Sequence, residues 1–135
     1  MPPPRPRTAE TLLLDLARTL AKHGIADAAE LTAAVDVMAE AYTPDAPLVL
    51  ALRADARAAA DDKNARLALG WAREQVRVAL VEILHRARAV GVVPPGRDVE
   101  TLAWLWLAAC EALAHELPSA VPDRVHALVT FLTER

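Results

Sequence analysis

The sequence predicts an all-α fold, a bundle of about six helices, on three observations. Its 135 residues are 54% hydrophobic but only 4% aromatic, with alanine, leucine, arginine and glutamate common, a balance that favours helix over sheet. Apolar residues recur at spacings of three and four, and strand signals are nearly absent. Prolines, glycines and capping side chains separate the periodic stretches, where helices start and stop.

Thr8 is placed to cap a first helix with Leu12, Leu13, Leu16 and Leu20 on one face, and Gly24 stands where a helix C-terminus is expected. Asp27 and Glu30, three apart in the manner of a capping box, open a second helix carrying Leu31, Val35, Met38 and Tyr42 at helical spacing. Thr43-Pro44-Asp45-Ala46-Pro47 breaks and restarts the chain. A third helix, from about Asp45, is predicted to turn Leu48, Leu52, Ala56 and Ala59 inward and Arg53, Asp55 and Arg57 outward. Asp61-Asp62-Lys63-Asn64 marks a bend or a new cap. The long periodic segment that follows, to Val90, has one stripe of Val76, Leu80, Ile83, Ala87 and Val90 and another of Trp71, Val78 and Val81. Two apolar stripes make it the central helix.

Gly91 is expected to close that helix in the left-handed conformation, which a residue without a Cβ adopts freely, and Pro94 and Pro95 prevent its resumption. Asp98 opens the next helix: its carboxylate accepts from free N–H groups of the first turn, and Glu100 adds negative charge where the helix dipole favours it. From Leu102 to Leu113 apolar residues and alanines leave no polar stripe until Glu111. A helix apolar on every side needs cover on two faces. Ser119 and Pro122 introduce a last helix in which Val121, Val125, Leu128, Val129 and Leu132 repeat at spacings of three and four. The last two helices are therefore expected to form a four-helix bundle across a homodimer, with Leu105, Ala109, Leu113, Val121, Val125, Leu128 and Leu132 at the interface.

The length fits a single helical domain over residues 8–135, preceded by a Pro/Arg tail, Met1-Pro-Pro-Pro-Arg-Pro-Arg7, expected to be extended and disordered. A net charge of −3, with arginines interleaved among acids, gives no general attraction to nucleic acid. Asp15 and Arg18 interrupt the first apolar stretch, so no signal peptide is read and a cytoplasmic location is expected. The longest uncharged run, near Cys110, falls short of the roughly 20 residues that span a bilayer. Cys110 is the only cysteine, which excludes an intramolecular disulfide.

The order of elements from about Pro44 to Leu132, two thirds of the chain, resembles the C-terminal effector-binding and dimerisation domain of tetracycline-repressor-type (TetR family) transcriptional regulators. The residues that carry the likeness are Arg57-Ala-Ala-Ala-Asp-Asp-Lys-Asn-Ala-Arg66, the long helix through Arg77-Val-Ala-Leu-Val-Glu-Ile-Leu84, Ala89-Val-Gly-Val-Val93 and Asp98-Val-Glu-Thr-Leu102. The resemblance assigns residues 44–135 to that domain. In the family, a long helix ends in a glycine turn, a short loop reaches an aspartate cap, and two helices pair with their twins across a dyad. The N-terminal helix-turn-helix of such regulators has no counterpart after Asp27, so no DNA-contacting residue is carried over and direct operator binding is not expected.

The resemblance also implies a small, mostly apolar effector held between the central helix and its neighbours, with aromatic walls and a few polar anchors. Trp71, Arg73, Glu74, Arg77 and His85 on the long helix, with Trp104 and Trp106 on the next, are the candidates. Tryptophans at such positions are more often plain core or interface residues, and His85 more often a hydrogen-bonded structural histidine. Glu111 and His115, four apart on one helix, lack the further ligands a metal needs. Cys110 beside His115 or His126 lies in the most apolar segment, where desolvation suppresses the thiolate. No enzyme, metal or cofactor is expected. The alternative to the regulator reading is a small helical homodimeric interaction or scaffold protein with a filled core and no ligand.

Overall fold

The computed structural model describes residues 7–135. The Pro/Arg tail expected over residues 1–7 lies, apart from Arg7, outside the described residues. Among those described, the chain is all-helical: α1 (Ala9–Ala21), α2 (Ala28–Ala41), α3 (Pro47–Ala59), α4 (Lys63–Ala89), α5 (Val99–Leu113) and α6 (Val121–Thr133), with a 3-10 turn at Pro118–Ala120 leading into α6. The six-helix expectation is met.

Four of the six starts are capped by their own side chains. Thr8 accepts from the Thr11 N–H at 3.2 Å, Asp27 from Glu30 at 3.0 Å and Asp62 from Ala65 at 3.2 Å. Asp98 takes both the N–H and the hydroxyl of Thr101, at 3.3 and 2.5 Å. These bonds satisfy donors that a helix start leaves without a partner. The third helix begins at Pro47 rather than near Asp45, with proline in the first turn and no side-chain cap. Proline fits there because its missing N–H is one the helix could not use.

Gly91 ends α4 with φ +82°. The Val92 N–H reaches the Ala87 carbonyl at 2.9 Å and the Gly91 N–H reaches Arg88 at 3.1 Å, the paired bonds of a Schellman turn. Gly24 does not act in this way. α1 closes on Lys22, and Gly24 is not in the left-handed region. Gly24 instead lies against Glu30, whose Oε2 would stand 2.9 Å from an added Cβ.

The core forms where the helical stripes meet. Leu13, Leu16 and Leu20 of α1, Leu31, Val35, Met38 and Tyr42 along α2, and Val76, Leu80, Ile83 and Ala87 of α4 are all buried. α4 packs most extensively on α1 and next on α5, while α6 rests on α2 and α5. The stripes of α4 are unequal. On the second stripe Val81 is buried but Trp71 and Val78 are exposed, so cover there is incomplete, and Val90, expected at the end of the first stripe, is exposed as well.

In α3, Leu48 and Ala59 are buried and Leu52 half-buried, whereas Ala56, expected inward, is exposed. Asp55, expected outward, accepts from the backbone N–H of Ala9 at 2.8 Å. It supplies a second acceptor at the start of α1, 46 residues away in sequence. No described helix is long and apolar enough to cross a membrane.

Candidate functional site

α5 is covered on one face only. Val99, Leu102, Ala103, Trp106, Leu107, Cys110 and Leu113 are buried within the chain. Beside it α5 meets α6 across an apolar groove of about 570 Å³, where Leu105 and Ala109, with Leu113 at the edge of the buried face, oppose Val125, Leu128 and Phe131. Glu116 and Arg124, paired at 3.3 Å, stand at its rim. Five of the seven residues expected at the dimer face therefore line one surface.

The other two sit elsewhere. Val121 lies on the opposite flank of α6, in a second groove with Ala39, Val125 and Val129. Leu132 is fully buried in the chain's own core and supports α6 from beneath. Phe131, 39% exposed, belongs to the groove although it lay outside the helical stripe read from the sequence.

The seven residues proposed for an effector divide into separate groups. Trp71, 55% exposed, lines a shallow groove between α1 and α4 with Leu14, Ala17 and Val78. His85 is exposed on α4, its Nδ1 3.3 Å from the Arg88 guanidinium. Trp106 is buried in the core, and Trp104, two residues earlier, is 57% exposed.

Arg73, Glu74 and Arg77 form an ionic seam from α4 to α5. Arg73 donates through Nε and Nη2 to both Glu111 oxygens, at 2.8 and 2.7 Å. Arg77 grips Glu74 on its own helix at 2.5 to 3.1 Å and reaches Glu100 at 2.6 Å. The Glu74 hydrogen bond, followed by that of Glu100, holds Arg77 well above its ordinary pKa. The same Arg77 bond holds the Glu74 carboxyl below its ordinary value. The hydrogen bonds that Arg73 donates to Glu111 raise its own pKa. Glu111, considered from sequence as half of a metal pair, is thus engaged by arginine.

Two buried side-chain polar atoms of the described residues have no hydrogen-bond partner, Tyr42 Oη and Trp106 Nε1. Burial above all, then the charges of Glu111 and Cys110, pushes the Tyr42 hydroxyl well above its ordinary pKa. The Cys110 thiol is pushed up to about 12, mainly by burial, although the nearby Trp106 indole eases its ionisation. A thiol so placed is a small apolar filler and not a nucleophile. Tyr42 was legible from sequence as a core residue at the end of α2, but no pattern along the chain signals that its hydroxyl goes without a hydrogen-bond partner.

Comparison of the chain with protein-family models, with curated proteins and with solved structures returned no match.

Proposed function

We propose that this chain acts as the dimerising, effector-sensing half of a regulator of the tetracycline-repressor type, working in the cytoplasm. The observation that carries the reading is the apolar groove between α5 and α6. Its walls, Leu105, Ala109, Leu113, Val125, Leu128 and Phe131, present the apolar centre and charged edge expected of an interface between two copies. Two α5–α6 pairs facing across a dyad make a four-helix bundle, and a small apolar effector acts by biasing how the paired helices sit. Native mass spectrometry of the purified chain tests this directly. A dimer, particularly one carrying a small-molecule adduct, is the expected result. A monomer throughout the micromolar range removes the reading.

A second reading, a homodimeric helical scaffold without ligand, is favoured by one observation: the effector candidates are dispersed, with Trp106 spent in the core and Arg73, Glu74 and Arg77 spent on ion pairs. Thermal unfolding separates the two. The regulator gains stability from an apolar effector by mass action, and the scaffold does not.

A further inference from the structure

The second groove beside α6 is walled by charges that oppose their own helix. Its α2 side is one helical stripe of Thr32, Asp36, Glu40 and Thr43, which faces Val121, Val125 and Val129 of α6 across about 610 Å³, a volume ordinary for a small-molecule site. Asp36 and Glu40 stand one turn apart, where like charges destabilise a helix. Glu40 also lies in the last turn of α2, at the negative end of the helix dipole, with no basic residue in that turn. Neither carboxylate is paired among the described residues, whose salt bridges engage Asp15, Glu74, Glu100, Glu111 and Glu116 instead. Local choices that work against their own element concentrate at functional sites.

The α2 wall offers acceptors and no donor. The Thr32 hydroxyl donates to the Ala28 carbonyl at 3.1 Å and that of Thr43 to the Glu40 carbonyl at 3.3 Å, which spends their hydrogens and leaves lone pairs. No arginine or lysine among the described residues lines the groove, and His126 on α6 is its one other ionisable side chain. The complement of such a wall is a cation with N–H donors. A quaternary ammonium fits less well, since no aromatic ring lines the groove to face it. Opposite, Val121, Val125 and Val129 are half-buried on successive turns of α6, an apolar track of about 12 Å.

We infer that the α2–α6 groove binds a small apolar primary amine, its ammonium held by Asp36 and Glu40 and its alkyl chain laid along the three valines. The bound cation relieves both the repulsion between the carboxylates and their conflict with the helix dipole. Val125 lines this groove and the one between α5 and α6, so the occupant bears on the helix that presents the proposed dimer face. The inference rests on the effector-sensing part of the regulator reading and names the effector's class, whereas dimerisation stands or falls separately.

The test uses the full chain, with octylamine as the probe and 1-octanol as its uncharged counterpart. Octylamine is expected to raise the melting temperature more than 1-octanol does, and to move amide chemical shifts over residues 32–43 and in α6 while those of α1 stay fixed. Asp36→Asn with Glu40→Gln, which removes the repulsion, should fold at least as stably yet bind octylamine about tenfold more weakly. Asp61→Asn with Glu82→Gln, two exposed acids outside the groove, should leave binding unchanged. Equal weakening by this control pair would mean general attraction to an acidic surface and would overturn the site. Octyltrimethylammonium, equally charged but without N–H donors, should bind more weakly than octylamine, and equal binding overturns recognition of an ammonium. Equal responses to octylamine and 1-octanol that survive Asp36→Asn with Glu40→Gln overturn the amine site and leave an apolar effector in place. No response to either probe overturns the site and the effector reading together, while a dimer in native mass spectrometry still upholds dimerisation.

Discussion

The Arg97 guanidinium lies 4.8 Å from the centre of the Phe131 ring, and its Nη1 donates to the carbonyls of Phe131 at 3.0 Å and Glu134 at 3.1 Å. One side chain from the turn before α5 thus holds the end of α6. It satisfies carbonyls that the last helical turn leaves free and sets positive charge at the negative end of the helix dipole. α6 has a single fully buried residue, Leu132, so this tie matters for how the groove is presented.

Arg97→Ala should loosen the C-terminal half of α6 at a cost of about 1 kcal/mol. Hydrogen exchange should show faster exchange at Leu132 and Thr133, with the amides of α1 and α4 unchanged. Uniform acceleration through the whole chain would mean that Arg97 supports the global fold instead of one helix end.

Leu128→Glu places a charge in the groove between α5 and α6 and, in a dimer built on that face, brings two such charges together at the dyad. Association should weaken about a hundredfold. Sedimentation velocity should then find a monomer whose helical content is that of the wild type. An unchanged dimer would move the interface to another face, the exposed Trp71 side of α4 being the next to try.

The Arg73–Glu111 bridge is two-pronged but roughly 40% exposed on both side chains, so solvent screens it. A double-mutant cycle with Arg73→Ala and Glu111→Ala should give a coupling of about 1 kcal/mol that shrinks in high salt. Urea unfolding at low and high ionic strength provides the measurement. A coupling insensitive to salt would contradict the screened geometry.

Stability should fall in acid through groups that are identifiable. The Arg77 bond lowers the folded-state pKa of Glu74, and the Thr101 hydroxyl and N–H lower that of Asp98. A carboxyl with a depressed folded value contributes stability above its unfolded pKa and loses that contribution as pH falls through the folded one. Glu74→Gln and Asp98→Asn together should therefore flatten the acid side of a melting-temperature profile and leave the alkaline side alone. The effect is small, since both groups face solvent.

Gly91→Ala forces a Cβ into a backbone at φ +82°, where L-residues pay about 1–2 kcal/mol. The urea midpoint should drop by the corresponding amount, with the slope of the transition unchanged. No Cβ contact would add to the cost, because nothing stands within 4 Å of the added carbon.

Much of the framework was legible along the chain. Leu31, Val35, Met38 and Tyr42 repeat at helical spacing and all are buried, because one face of a helix is a property of sequence separation alone. Gly91 and Asp98 were equally readable, since a left-handed stop and an N-cap depend on neighbours within a few residues. Gly24 was misread for the opposite reason. Its surroundings are set by Glu30 of the next helix, which replaces the turn geometry that glycine usually serves.

The candidate site was less legible. Trp104 and Trp106 are two residues apart on an apolar helix, and periodicity along α5 does not say which of them neighbouring helices will cover. Asp55 belonged to an outward face by its spacing, yet it reaches the start of α1 across 46 residues. The partnership of Arg73 with Glu111, 38 residues apart, follows from how α4 and α5 cross.

The sequence by itself determined the six helices, the caps at Thr8, Asp27, Asp62 and Asp98, the stop at Gly91 and the faces of α1 and α2, because these depend on dihedral preferences and hydrogen bonds spanning at most a few residues. Tertiary structure alone decided which apolar stripes remain open, which charges meet across helices and which buried hydroxyl and indole go without partners. Those outcomes depend on the angle and height at which helices far apart in the chain pack, and side-chain periodicity carries no record of either.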